Sequence, residues 1–232
     1  MLGFLFLESD TMGKQYKIHY EKTLTEDEIL EYLKKAACCY NSYVDTDLMF
    51  IYSKDKKTDY RYYEIFFGME NFLHLAGCIG NGIDAKEFFL KCLGGTIKYN
   101  EFKPKKDINT TSAKISILYT MLDFRNSKLY KIGIKNLITE KNKFELATGN
   151  STGILGYDDR KSNEKALPIP ITAMKRPISD YVSSMNTIMF ILQKDPKEKI
   201  YSEIVYTIKK DLLKEIELPI DIKEKIATEL IL

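Results

Sequence analysis

Apolar residues recur at helical spacing through much of the first half of the chain. Thr25 and Glu28 have capping-box spacing, and the apolar residues that follow recur on one face, which predicts a helix over Glu26–Tyr40. A basic loop is expected over Lys103–Asn109. A further helix is predicted over Glu70–Cys78. Another begins at a second capping box, Asp84–Glu87, and stops at Gly94-Gly95. The spacing of Ile115, Leu118, Tyr119 and Leu122 predicts one more.

Strands are predicted where aromatic and branched residues alternate with polar ones. Leu48–Ser53 and Tyr60–Phe67 flank the charged turn Lys54–Asp59, which indicates a hairpin. From residue 129 the alternation continues over Leu129–Ile138, Phe144–Thr148, Gly153–Tyr157, Thr187–Gln193 and Ile200–Ile208, with Asp195-Pro196 turning the last pair, before a closing helix at Ile222–Leu230. This order predicts an α+β fold, with N-terminal helices packed on an antiparallel β-sheet, in a single domain over residues 1–232.

Composition and charge narrow the function classes. The chain has 232 residues, 44% of them apolar and 29% charged, and a formal net charge of +2, which is ordinary for a globular protein. Lysine binds phosphate as a point charge, whereas arginine supplies the planar fork that reads bases. The arginines are only Arg61, Arg125, Arg160 and Arg176, so sequence-specific DNA readout over a wide surface is not expected.

The N-terminal run indicates a cytoplasmic protein without a membrane partner, and the cysteines indicate no metal site. Met1–Leu7 is apolar but too short to span a membrane and lacks the features of a signal peptide, so we expect a strand or a tethered terminus. Neither a zinc-site spacing of cysteines nor a phosphate-binding glycine loop is found, and we expect no metal and no cofactor. The cysteines, Cys38, Cys39, Cys78 and Cys92, are expected to be small buried residues.

His74 is the first candidate for chemistry, because an imidazole titrates near neutral pH and can move protons. It lies among apolar neighbours directly after a predicted strand, which indicates a buried imidazole beside a sheet. A hydrogen-bonded structural histidine fits the same pattern. The other histidine, His19, lies in an alternating stretch and is expected at the surface.

A second candidate region is the proline-rich segment 167–176. Its prolines exclude a central strand position, and it places Thr172 close to Lys175 and Arg176. A hydroxyl and two cations can hold a phosphate and stabilise developing charge. An edge segment with solvated charges is the alternative interpretation.

Two weaker candidates lie in turns. Tyr201 and Ser202 begin the last predicted strand beside two lysines, although Tyr201 also fits a core position. Ser151 and Thr152 lie in a polar, glycine-flanked turn that could approach a phosphate closely, as an ordinary hairpin turn also could.

In this order the segments resemble the fourth phage-associated nuclease family grouped with barnase, EndoU, colicin and RelE toxins. The resemblance rests on Phe72–Gly77, the Phe-rich capped helix ending in Gly-Gly, Leu155–Tyr157, Pro170–Thr172 and the last strand with Tyr201. It covers residues 60–210 as a nuclease-like core. Residues 1–59 are then an N-terminal extension of unknown role, and residues 211–232 a C-terminal helix.

The resemblance implies helices packed on an antiparallel sheet that cuts RNA without metal, driving the 2′-hydroxyl onto its own phosphate. His74 matches the family histidine, Thr172 the Ser or Thr after the proline, and Lys175 and Arg176 the phosphate-binding pair, with Ser202 as a further hydroxyl. Ala76 departs from the bulkier residue usual before the glycine. We expect RNA as the partner and an endoribonuclease acting in phage–host or toxin conflict. The alternatives are a non-catalytic phage protein that inhibits a host defence complex or binds its RNA, and a toxin whose N-terminal segment contacts an antitoxin.

Overall fold

The computed structural model describes residues 23–126, 131–134, 144, 146–158, 166–181 and 185–232, with the backbone alone for residues 131–134. The predictions for Met1–Leu7 and His19, and most of the predicted strand Leu129–Ile138, lie outside the described residues. In the part that is described, no helix is long and apolar enough to cross a membrane.

Four longer helices in the described part of the chain pack on one face of a β-sheet. The predicted capping box is confirmed, because the Thr25 hydroxyl accepts the N–H of Glu28 at 3.3 Å and the Glu28 carboxylate accepts the N–H of Thr25 at 2.8 Å. Asp84 caps a later helix by accepting the N–H of Glu87 at 2.8 Å. The helices are α1 (Glu26–Asn41), α2 (Asn71–Ala76), α3 (Ala85–Gly94) and α4 (Ile108–Leu122).

The main sheet is antiparallel and strongly curved. Its strands are β1 (Thr46–Ser53), β2 (Arg61–Phe67), β5 (Lys131–Ile134), β6 (Leu146–Gly149), β7 (Ile154–Asp158), β8 (Ile169–Met174), β9 (Asn186–Lys194) and β10 (Glu203–Thr207), in the order β2-β1-β9-β5-β6-β7-β8, with β10 also paired to β9. Strands β3 (Cys78–Gly80) and β4 (Phe102–Pro104) form a separate pair. The N–H of Phe66 donates to the carbonyl of Pro168 at 2.9 Å, so the curvature brings β2 and the start of β8 together.

Both faces of the central strands are covered. In β1, Leu48 and Phe50 point into the core that the four helices cover, whereas Met49 and Ile51 point into a second core. That second core is closed by the C-terminal segment, residues 211–232, which contains α5 (Leu212–Glu215), α6 (Ile220–Lys223) and α7 (Thr228–Ile231). The arrangement confirms the predicted α+β class.

The single closing helix predicted at Ile222–Leu230 is wrong. Helix α6 ends at Lys223, and Ile226 forms a parallel bridge with Tyr201. The N–H of Tyr201 donates to the carbonyl of Lys225 at 2.7 Å, and the N–H of Ala227 donates to the carbonyl of Tyr201 at 2.9 Å. These non-local hydrogen bonds replace helical ones and divide the segment into α6 and α7.

The proline-rich segment contains a strand that the sequence pattern did not predict. Residues Ile169–Met174 form β8 at the end of the sheet path, and Pro170 pairs with Tyr157. The expected exclusion of these prolines from a central strand agrees with this edge position.

The described part of residues 1–59 is built into the domain. Ile29 and Leu33 of α1 and Phe50 of β1 are all buried in the same core as α2 and α4. Tyr119, predicted on the apolar face of α4, is instead 37% exposed.

Candidate active site

His74 lies on the outer side of the short helix α2. Phe72 and Leu75 are fully buried, whereas His74 is exposed, because successive helical residues point in directions about 100° apart and only one of the six faces away from the core. The predicted burial of this imidazole is therefore wrong. The helix ends at Gly77, whose φ of 70° is a left-handed conformation that glycine adopts without steric cost.

The loop after β4 is fixed beside the end of α2. The backbone N–H of Lys105 donates to the carbonyl of Gly77 at 2.9 Å. Partial burial lowers the pKa of His74 below 6.5, and the nearby positive charge of Lys105 lowers that pKa further. A neutral imidazole, able to accept a proton, is thereby favoured near neutral pH.

Lys114 approaches the end of α2 from helix α4. Its aliphatic chain crosses Gly77 so closely that a Cβ on that glycine would lie 2.8 Å from Lys114 Cδ. Its ammonium donates to the hydroxyl of Thr172 at 3.0 Å. Burial lowers the pKa of Lys114, and the charges of Lys106 and Lys105 lower it further.

Thr172 enters the site from β8, where it pairs with Gly156 on β7. Its hydroxyl accepts from Lys114 and has the carbonyl of Ala173 within 3.5 Å as an acceptor. The cations predicted beside Thr172 were Lys175 and Arg176, whereas the cation that contacts its hydroxyl is Lys114. We call the set His74, Lys105, Lys106, Lys114 and Thr172 the basic cluster.

Lys175 and Arg176, predicted beside Thr172, instead lie at the end of β8 near the turn that contains Ser151 and Thr152. The N–H of Ile178 donates to the carbonyl of Asn150 at 3.0 Å, which holds the chain after β8 against the turn between β6 and β7. Lys175 lies three positions after Thr172 along the chain, a span of about 10 Å for extended backbone. This end group consists of Ser151, Thr152, Lys175 and Arg176, all of them exposed.

Tyr201 and Ser202 are not part of either group. Tyr201 is fully buried in the second core, its hydroxyl donates to the Glu64 carboxylate at 3.0 Å, and the Lys194 ammonium lies 5.3 Å from its ring centroid. The prediction that this ring contacts the substrate is therefore wrong, because the C-terminal segment covers the ring. The N–H of Ser202 donates to the carbonyl of Gln193 on β9. Strand β9 lies two strand spacings, or about 10 Å, from β2 along the sheet.

Sequence reasoning missed Lys114, Lys105 and Gly77 as site residues. Lys114 has Thr111 three residues before it and Leu118 four residues after it, and both are buried at 2% and 0% exposure. A lysine between buried positions on one helix face is the pattern that could have identified it. Lys105 was recognised only as part of a basic loop.

The basic cluster combines a neutral-favoured imidazole, several ammonium groups and a hydroxyl. Such a set can accept a proton, bind an anion and stabilise negative charge that develops on it. Among the residues that the structure describes, no three His, Cys, Asp or Glu side chains come together as metal ligands would.

Comparison with known families gives a match to the model described as phage-Barnase-EndoU-ColicinE5/D-RelE like nuclease4, over residues 32–210. The match begins within α1, earlier than the residue 60 expected from the resemblance, and it includes the whole basic cluster and the end group. It ends before the C-terminal segment. No curated protein and no solved structure matches the chain. Since the match covers more than half of the sequence, this chain belongs to the phage-Barnase-EndoU-ColicinE5/D-RelE like nuclease4 family.

Proposed function

We propose that the protein is a metal-independent endoribonuclease that cleaves by transesterification and leaves a 2′,3′-cyclic phosphate. Membership of a nuclease family supports phosphodiester cleavage. The observation that carries the proposal is the position of an exposed imidazole, His74, beside the charge of Lys105 and at the end of the helix that Lys114 crosses.

His74 accepts the proton of the ribose 2′-hydroxyl as that oxygen attacks the adjacent phosphorus. The bond from phosphorus to the 5′-oxygen breaks, and a lysine ammonium of the basic cluster supplies the proton that the leaving oxygen takes. Positive charge around the phosphate stabilises the phosphorane, and its interaction with the dianionic transition state is stronger than with the substrate. Thr172 orients the site through its hydroxyl.

The end group contributes to substrate binding in this proposal. Lys175 and Arg176, with the hydroxyls of Ser151 and Thr152, contact a neighbouring phosphate of the same RNA strand, roughly 10 Å from Thr172. The family description links such nucleases to phages, which supports a role in phage–host or toxin conflict with RNA as the partner.

The test is cleavage of a labelled mixed-sequence RNA in EDTA between pH 5 and 9. His74→Ala is expected to lose about 10²- to 10⁴-fold in rate, as removal of a general acid–base group does. Ser202→Ala serves as the control, because its exposed position lies outside the basic cluster, and it should cleave like the wild type.

Two results would contradict the proposal. Equal cleavage by His74→Ala and the wild type would remove His74 from the mechanism. A wild type that leaves RNA intact at every pH would favour the alternative of a non-catalytic phage protein, whose host defence complex or RNA would then be sought by affinity capture.

A further inference from the structure

Lys114 is partly covered and has no carboxylate partner, unlike three other partly covered lysines in the described part of the chain. Lys91, Lys194 and Lys225 each have a carboxylate oxygen within 3.1 Å of the ammonium, and their side chains are 29%, 9% and 33% exposed. In the described part of the chain no acidic side chain forms an ion pair with Lys114, whose ammonium instead contacts the neutral Thr172 hydroxyl at 3.0 Å. A half-buried charge without a counter-charge is unfavourable.

The surroundings of Lys114 make this imbalance larger. Lys105 and Lys106 both act on it as like charges, and no carboxylate among the described residues offsets them. Folded proteins retain such unfavourable arrangements mainly at functional sites, where a ligand completes the interaction. An anion would balance these positive charges.

The geometry is also specific. An ammonium has three donor hydrogens, and the Thr172 hydroxyl accepts one of them. The path that brings the ammonium to Thr172 runs over Gly77, where any side chain would meet Lys114 Cδ at 2.8 Å. Gly77 therefore permits both the left-handed end of α2 and the approach of the lysine.

We infer that Lys114 and Thr172 form a phosphate-binding site that holds the reacting phosphodiester of RNA, and that Gly77 is a positioning residue for Lys114. The two remaining donor hydrogens of the ammonium bind non-bridging phosphate oxygens, and Lys105 and Lys106 add positive charge around them. This inference rests on the proposed function, since it names the group that holds the phosphate for His74.

The binding test uses a fluorescent 2′-deoxy oligonucleotide, which cannot undergo transesterification, in anisotropy titrations over a series of salt concentrations. Lys114→Gln is expected to weaken binding and to reduce the slope of log affinity against log salt by about one. The matched control is Lys34→Gln, because Lys34 crosses Gly95 as Lys114 crosses Gly77: a Cβ on Gly95 would lie 3.1 Å from the Lys34 ammonium. That control should bind and cleave like the wild type.

The positioning role of Gly77 is tested by comparing an alanine substitution there with alanine substitutions at two other glycines. Gly77→Ala should reproduce the lost binding of Lys114→Gln, and the double variant should bind no more weakly than either single one. Gly95 and Gly82 have φ values of 67° and 78°, close to the 70° of Gly77. Gly95→Ala and Gly82→Ala therefore suffer similar backbone strain and should retain binding, which separates displacement of Lys114 from a general loss of stability.

Cleavage of RNA by the same variants separates this inference from the proposed function. Loss of about 10²-fold or more in cleavage by Lys114→Gln, with a normal circular dichroism spectrum, supports the inference. If the wild type cleaves and Lys114→Gln both binds and cleaves normally, the phosphate site is overturned and the ribonuclease stands. If the wild type binds the deoxy oligonucleotide through Lys114 but cleaves no RNA, the phosphate site stands and the ribonuclease proposal fails.

Discussion

The ion pair between Asp47 and Lys194 offers a quantitative test of how burial sets the strength of a charge interaction in this protein. The two charged atoms are 2.5 Å apart and each side chain is only 9% exposed. Asp47→Asn keeps the size of the side chain but leaves the lysine charge buried and uncompensated. Removing one partner of a buried pair costs about 3 kcal/mol or more.

For a chain of this length, about 1 kcal/mol lowers the Tm by roughly 2–4 °C. The Tm of Asp47→Asn should therefore fall by about 6–12 °C, measured by calorimetry or circular dichroism at pH 7. The double variant Asp47→Leu/Lys194→Met should melt closer to the wild type than Asp47→Asn, because it removes both buried charges.

The chain contains a matched control for this experiment. Lys35 and Glu31 have the same separation of 2.5 Å between charged atoms, but their side chains are 54% and 63% exposed. Water and salt screen this pair, so Glu31→Gln should leave the Tm unchanged within error. Equal Tm shifts for Asp47→Asn and Glu31→Gln would refute the reasoning from burial.

Three further outcomes are expected. Burial raises the pKa of the Cys78 thiol to about 12, so native protein at pH 8 should label rapidly at the exposed Cys38 and slowly at Cys78, with both reacting in denaturant, as thiol titration and mass spectrometry will show. The pKa of His74 should be below 6.5 in an NMR titration and should rise in Lys105→Gln. Because folding disfavours the protonated form, the contribution of this group to stability is present above pH 6.5 and is lost as the pH falls below it. Tyr201→Phe removes its hydrogen bond to a carboxylate and should cost about 2 kcal/mol, read as a Tm lower by roughly 4–8 °C, with RNA cleavage unchanged.

Local patterns in the sequence were sufficient for much of the fold. The helix Glu26–Asn41 was predictable because the capping box at Thr25 and the apolar spacing act within one segment. The hairpin of β1 and β2 followed in the same way from alternation on both sides of a charged turn. Local hydrogen bonding and periodicity decide such elements without reference to the rest of the chain.

Non-local contacts decided what the sequence pattern left open or got wrong. Whether Tyr201 binds substrate or lies in the core depends on the C-terminal segment, which folds over it and interrupts its own helix at Ile226. The position of His74 on the outer side of α2 likewise follows from the direction in which that helix packs.

The sequence by itself determined the fold class, the main helices and strands and two members of the basic cluster, His74 and Thr172. Only the tertiary structure brought Lys114 to Thr172, 58 positions further along the chain, and separated both from Lys175 and Arg176. The physical reason is that side-chain proximity within one element depends on its period, whereas proximity between elements depends on how the sheet curves and how the helices pack. A site assembled from α2, the β4–α4 loop, α4 and β8 exists only once those elements have packed together.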